Sequence, residues 1–172
     1  LIIKNTFSNG GGTSVTQNIS SLKGEKMQVP EKVITGIAHR IDRIQVQLLD
    51  SSNVDDEQLF SLFAQNGISI DMINIFPTQK VFTIDKQDKN TMINILDLYK
   101  LQYTLIEDCC KITALGERMT GVPGVMARII TALRKQNIQI LQTSDSLTTI
   151  ACLINSSNTS KAITALHSEF NL

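Results

Sequence analysis

Charge of one sign, aromatic rings, cysteine and histidine are all scarce in this chain, and each scarcity argues against a class of function. Sixteen Lys and Arg balance sixteen Asp and Glu, so the formal net charge is zero. That is not the surface of a protein whose main partner is nucleic acid or an anionic membrane. Aromatic residues make up 5% of the chain, too few for the base-stacking sheet face of a ferredoxin-like RNA binder. The cysteines are Cys109, Cys110 and Cys152. On a strand the adjacent pair would point to opposite faces, poor geometry for gripping one metal. Ordinary thiols of a reducing cytoplasm are therefore expected, with no metal site. The two histidines, His39 and His167, have no nucleophile at an interpretable spacing, and no catalytic set emerges. No apolar run approaches the roughly 20 residues of a membrane span, and the opening residues lack a signal-peptide pattern. The chain starts at Leu1 rather than Met, so a fragment of something longer is expected.

What the chain does have is a repeat. Residues 70 positions apart match: Phe63 with Leu133, Ile68 with Ile138, Ile70 with Ile140, Ile84 with Ile154, Ile93 with Ile163, Leu96 with Leu166. The register holds across several elements, so one supersecondary unit occurs twice. A unit of roughly 70 residues has a marginal core by itself, and packing of the two units is expected.

The first unit opens on Ile44–Leu48, whose period-two alternation reads as a half-buried strand. A polar turn, 50–53, precedes Asp55, Asp56 and Glu57, which suit the positive end of a helix. Leu59, Phe60, Leu62 and Phe63 form its stripe, and Gly67 stops it. Ile68–Met72 alternates again, Pro77 marks a turn, and Val81–Ile84 returns as a strand. Asp88 can cap a second helix carrying Met92, Ile95, Leu96 and Tyr99, and Thr104–Glu107 closes the unit. In the second unit Ile112–Gly116 is the first strand and Pro123 suits a first helical position. Val125, Ile129, Ala132 and Leu133 form the helix stripe, Ile138–Gln142 and Thr149–Ile154 the hairpin, and Ala162, Ile163, Leu166 and Phe170 the last helix face. Strand, helix, strand, strand, helix, strand is the order of an α+β, ferredoxin-like βαββαβ fold. The second unit lacks its last strand, and an unpaired edge is a liability. Val33–Ala38 is a spare strand upstream that can cross over and complete it, which makes the first unit an insertion within the second. Leu1–Phe7 is the rival donor.

Helix N-termini expose N–H groups that suit a carboxylate, and the loops Asp50–Val54 and Thr120–Val125 offer two such entries. Gln139 and Gln142, or Ser69 and Asn74, could grade a ligand side chain by hydrogen bonding, and Asp50 or Asp71 could take an ammonium. The plainer alternative is that Asp50, Ser51, Ser52 and Asn53 only cap a helix while Gln139 and Gln142 face water.

Gly116–Val125, read as GERMTGVPGV, resembles the strand–loop–helix entry of ACT domains, small amino-acid-sensing modules. Ile34–His39 resembles the segment opening the regulatory region of aspartate kinases, and Ile3–Phe7 with Gly12–Thr13 the end of their catalytic domain. Gly67–Met72 and Gln142–Ser146 also fit that family. The resemblance implies residues 1–32 as the end of a catalytic-domain strand plus a linker. It places a first ACT domain at 40–110 and a second at 33–39 with 111–172. It implies feedback inhibition of ATP-dependent L-aspartate phosphorylation by an end-product amino acid: lysine, threonine or meso-diaminopimelate. Ser144–Thr149 departs from the Ser-Glu-Ile pattern of many lysine-sensitive members and looks more like the diaminopimelate-sensitive branch.

For the site, the resemblance implies Asp50, Ser51, Ser52, Asn53 and Val54 facing Asn137, Gln139 and Ile140, with Gln142 next along the same strand. It likewise sets Met119, Thr120, Val122, Gly124 and Val125 against Ile70, Asp71 and Ile73, the pairing made across a homodimer. It implies no cofactor in this fragment, with ATP and Mg belonging to the parent kinase domain, and a cytoplasmic location. Gly11-Gly12-Thr13-Ser14 imitates that domain's phosphate loop, but Ser8-Asn9 stand before the glycines and Lys4 is out of place, so a polar linker is expected. A free-standing ACT-type sensor regulating another protein is the alternative reading.

Overall fold

The computed structural model describes residues 33–49, 54–117, 119 and 122–172, together with the backbone of Ile2–Ile3 and Thr13–Ser14. Those two dipeptides, β1 and β2, pair antiparallel with each other inside a small unit spanning residues 1–30. The other readings placed on residues 1–32, the phosphate-loop imitation among them, lie outside the described residues. Residues 31–172 form a second compact unit, which holds the rest of the fold.

That unit is built on two long strands, β3 (Ile34–Leu49) and β6 (Tyr103–Gly116). They run antiparallel side by side, from Ile34 against Gly116 to Leu48 against Tyr103. Around them lie α1 (Asp56–Gln65), β4 (Asp71–Phe76), β5 (Gln79–Asp85) and α2 (Lys89–Leu98). After β6 come α3 (Val125–Lys135), β7 (Gln142–Asp145), β8 (Thr149–Asn155) and α4 (Thr159–Phe170). The sheet order is β4-β5-β3-β6-β8-β7. Each half of it is a ferredoxin-like module whose last and first strands are borrowed from the long pair. The C-terminal half of β3 opens the first module, and its N-terminal half, Ile34–His39 against Ile112–Gly116, completes the second. The spare upstream strand thus lies where the repeat requires it, and Ile2–Ile3 is paired elsewhere.

Segments read as separate strands, 33–38 with 44–48 and 104–107 with 112–116, are halves of continuous ladders, the first beginning at Ile34. Each long strand crosses from one module to the other at an aspartate in left-handed conformation, Asp42 (φ 59) and Asp108 (φ 50). The β3–β6 register shifts at the same level. A bulge of this kind bends a strand without ending it, which local alternation cannot reveal.

In the structure the 70-residue step holds to the residue for β5 with β8 and α2 with α4, and slips by one residue for α1 with α3 and β4 with β7. β5 and β8 start at 79 and 149, and α2 and α4 at 89 and 159. The turns after α1 and α3 put Gly67 (φ 72) and Asn137 (φ 57) in the same left-handed state. Three sequence expectations shift. The ladder begins at Asp71 and Gln142, not Ile68 and Ile138, because these two isoleucines are buried under the helix ends. Their N–H groups bond the carbonyls of Phe63 and Leu133. Pro123 lies in the turn ahead of α3, with left-handed Gly124 between it and the helix. Asp88 stands ahead of α2 but makes no side-chain cap, since a 3-10 turn, Lys86–Asp88, leads the chain in.

Alternation along β3 sorts its side chains. Ile44, Val46 and Leu48 enter the first module's core with Leu59, Phe63, Phe82 and Leu96. Ile112, Ile129, Leu133, Ile154 and Leu166 anchor the second core. Each fully buried side chain of this size is worth about 1.5–3 kcal/mol. Cys109 and Cys110 fall on opposite faces, into different clusters. The helix-free face is different in kind: Arg43, Gln45, Thr83 and Gln142 are buried polar groups there. They sit beside a small apolar patch of Met72, Cys109, Ala151 and Leu153. On this face the two outer strands, β4 and β7, come together through side chains.

Candidate functional site

β6 ends at Gly116, where a Cβ would collide with the carbonyl oxygen of Val33; only glycine lets the two strands approach this closely. Its N–H bonds the carbonyl of Thr148, and Met119 N–H bonds that of Leu147, both at 3.0–3.1 Å. The loop is thereby stapled to the β7–β8 hairpin. Met119 and Val125 are buried, and Val122 packs beside them against the second core. Gly124 (φ 91) swings the chain into α3, and Arg128 N–H is the first to find a helical partner, the carbonyl of Gly124. Helix geometry leaves the N–H groups of Val125, Met126 and Ala127 without an intrahelical acceptor.

These groups open on a cavity of about 330 Å³. Met119, Val122 and Met126 give it an apolar side, and Asp145, Ser146 and Ile150 close it from the hairpin. Ser146 Oγ lies 2.8 Å from Thr149 Oγ1 and accepts from the N–H groups of Thr148 and Thr149, which ties the hairpin wall together. No acidic residue stands in the first turn of α3, and Arg134 and Lys135 stand in its last. The positive end of the macrodipole thus has no acidic side chain from its own first turn, and it faces a space of amino-acid size with the Asp145 carboxylate across it. The equivalent end of α1 is already filled: Asp55 precedes it, Asp56 and Glu57 occupy its first turn, and Asp56 pairs with Lys80 at 2.9 Å.

Of the residues expected at a site, Met119, Val122, Gly124 and Val125 are brought together here, whereas Asp50, Ser51, Ser52, Asn53 and Thr120 lie outside the described residues. Val54 and Ile70 pack on the first core, and Ile140 on the second. Asn137 forms the turn after α3, Gln139 is exposed, and Ile73 is exposed on β4. Asp71 is engaged by Lys111, 2.6 Å away, and lies 3.9 Å from the guanidinium of buried Arg43. Burial alone would push its carboxyl up, but the hydrogen bond and charge of Lys111, with Met72 N–H and Arg43, hold it below the usual value. Lys111 is five strand residues, about 16 Å, from Gly116, so one chain does not bring Asp71 to the α3 loop. Gln142 is buried and turned towards the first module. Asp145 and Ser146 were legible only as part of a family signature, not as a cavity wall.

Comparison with known proteins bears on this arrangement. An ACT domain model matches residues 104–168, which span β6 to α4 and include the whole cavity. Aspartokinase 1 of Bacillus subtilis is 38% identical over 173 residues, taking in 99% of this chain and 42% of that protein. This chain belongs to the aspartokinases, as an ACT-type regulatory region. It spans less than half the length of the curated relatives it matches. A crystal structure of aspartokinase alpha and beta subunits superposes with a TM-score of 0.73 at 26% identity, covering 81% of this chain and 99% of that one. Escherichia coli aspartokinase III, solved with lysine and aspartate in a T-state, gives 0.66 at 17% identity over 81% of this chain and 33% of its own; at that identity the likeness shows the fold alone.

Proposed function

We propose that this chain senses an end-product amino acid for an aspartate kinase and that the effector sits at the N-terminus of α3. The observation that carries the reading is the first turn of α3, free of acidic side chains and open to a cavity whose far wall bears Asp145. The effector carboxylate would accept from the N–H groups of Val125–Ala127, and its ammonium would face Asp145. Met119, Val122 and Met126 would contact its aliphatic stem. Binding would favour one of two arrangements of the parent enzyme and so inhibit ATP-dependent phosphorylation of L-aspartate. ATP and Mg belong to that kinase domain in the cytoplasm, and the regulatory chain has no catalysis of its own.

The other half of the expected site, Ile68–Ile73, belongs to the first module, and in this reading a second copy supplies it. Ile73, Ile75 and Phe76 are 44%, 58% and 48% exposed on β4, an outer strand of the sheet, and such an edge is suited to edge-to-edge pairing. A homodimer joined through its ACT modules follows. The effector class is lysine, meso-diaminopimelate or threonine, with the Ser144–Thr149 signature favouring meso-diaminopimelate.

The test is calorimetric titration of the chain with each of the three. One should bind, and Asp145→Asn should weaken it about tenfold, the loss of one charge-assisted contact. Unchanged affinity in that variant would remove the effector from this cavity. Absence of binding by all three would remove the sensing role from the isolated chain.

A further inference from the structure

A second cleft, of about 340 Å³, opens where the helix-free faces of the two modules meet. Its walls carry Gln47, Asn74, Gln79 and Thr143, its floor Val81, and no charged side chain lines it. The cleft offers no counter-ion, so the group that enters it must be neutral, while any charged termini of the ligand stay in solvent.

The orientation of its amides is fixed from the backbone outwards. Gln142 Nε2 faces two main-chain carbonyls, those of Met72 and Val81, so the nitrogen must be on that side. It also donates to Asn74 Oδ1 at 2.7 Å. Gln142 Oε1 therefore accepts from Gln45 Nε2 at 3.0 Å, a nitrogen again fixed by a main-chain acceptor, Leu141, at 3.5 Å. Gln45 Oε1 in turn accepts from Gln47 Nε2 at 2.9 Å. The four amides form one polarised chain, Gln47 to Gln45 to Gln142 to Asn74. It ends in an acceptor at Gln47 Oε1 and a donor at Asn74 Nδ2, neither bonded to another described residue. Both ends line the same cleft, and both residues stand directly opposite Val81, one on each neighbouring strand. The cleft thus displays an acceptor, an apolar floor and a donor in a row.

We infer that this cleft binds a small molecule carrying a primary carboxamide, its N–H₂ donating to Gln47 and its carbonyl accepting from Asn74. A carboxylate has no hydrogen for Gln47 and an ammonium no acceptor for Asn74, so the pair selects the amide over either. The inference is independent of the effector reading, since it uses none of the α3 loop.

The test is a ¹⁵N-resolved NMR titration of the chain with L-glutamine at millimolar concentrations, with L-glutamate and L-methionine as isosteric controls. Glutamine should shift the side-chain amide signals of Gln47 and Asn74 saturably, and the controls should leave them. Asn74→Asp keeps the acceptor for Gln142 but replaces the free donor with an acceptor. It should weaken glutamine at least about tenfold with the fold, checked by its amide spectrum, intact. Equal response to glutamate or methionine, unchanged affinity in Asn74→Asp, shifts confined to Val125–Ala127, or no saturable shift would each overturn the proposal.

Discussion

The two modules share a backbone and differ in what they put on it. The first fills its core with rings: Phe60, Phe63 and Phe82 lie 5.8–6.2 Å apart between centroids. The second has Ile130, Leu133 and Cys152 at those three positions, and Ile130 is 37% exposed. Its aromatic mass comes instead from the end of α4, where Phe170 carries the Arg128 guanidinium 4.4 Å from its ring centroid. The helix entrances diverge as well, acidic at α1 and bare at α3. A ferredoxin-like module requires apolar volume at given positions, not particular side chains; the entrance chemistry, free of that demand, is where the modules separate in function.

The sharpest way to break the comparison is through the ring cluster. Phe82→Ala should cost about 3–5 kcal/mol, the range for a fully buried phenylalanine, whereas Cys152→Ala at the matching position should cost about 1 kcal/mol. Urea midpoints at constant m-value would measure both. Equal losses would mean that the second core leans on Cys152 as heavily as the first does on Phe82.

The seam between the modules gives the next effect. The carboxyl of Asp71 is held below its usual value by Lys111 against the opposing effect of burial. A carboxyl depressed in the folded state adds stability that is present above its unfolded pKa, about 3.9, and lost as pH falls through the folded value. The wild type should therefore lose stability more steeply than Asp71→Asn below about pH 4, and the two should differ by a constant amount near neutrality. Thermal midpoints between acid and neutral pH would check it. Parallel curves would show that the pair with Lys111 is not formed in solution.

How far the chain could be read without coordinates follows from which contacts are local. The 70-residue step was legible because burial repeats with it: Phe63 and Leu133, Ile84 and Ile154, and Leu96 and Leu166 are all essentially inaccessible. The crossover strand was legible because Val33–Ala38 reads as a strand that has no place in the first unit. The seam was not. Gln45, Gln142 and Arg43 read as polar residues on strands that are half solvated, and nothing near them in sequence says otherwise. Their partners are 97, 70 and 42 residues away. Alternation tells which residues share a face, and only the bend at Asp42 and Asp108 decides that this face is covered. For the same reason the α3 cavity was half legible: its loop is a local motif, while Asp145 and Ser146 reach it through the pairing of β7 with β8.

A smaller effect tests the modules at one matched backbone position. Gly67 and Asn137 both hold left-handed conformations after α1 and α3, and no atom lies within 4 Å of where a Cβ on Gly67 would stand. Gly67→Asn therefore meets no steric obstacle, and the change is one of backbone preference alone. Glycine adopts this state freely and asparagine at a modest penalty, so Asn137→Gly should stabilise and Gly67→Asn destabilise, each by about 0.5–1 kcal/mol. The double swap should then be close to neutral, because the sites lie in different cores and share no partner. A pair of urea midpoints that fail to cancel would show that the turns are not equivalent. The excess would have to come from Gln139 and Ile140, whose strand entry follows Asn137 directly, against Ser69 and Ile70, which follow Gly67.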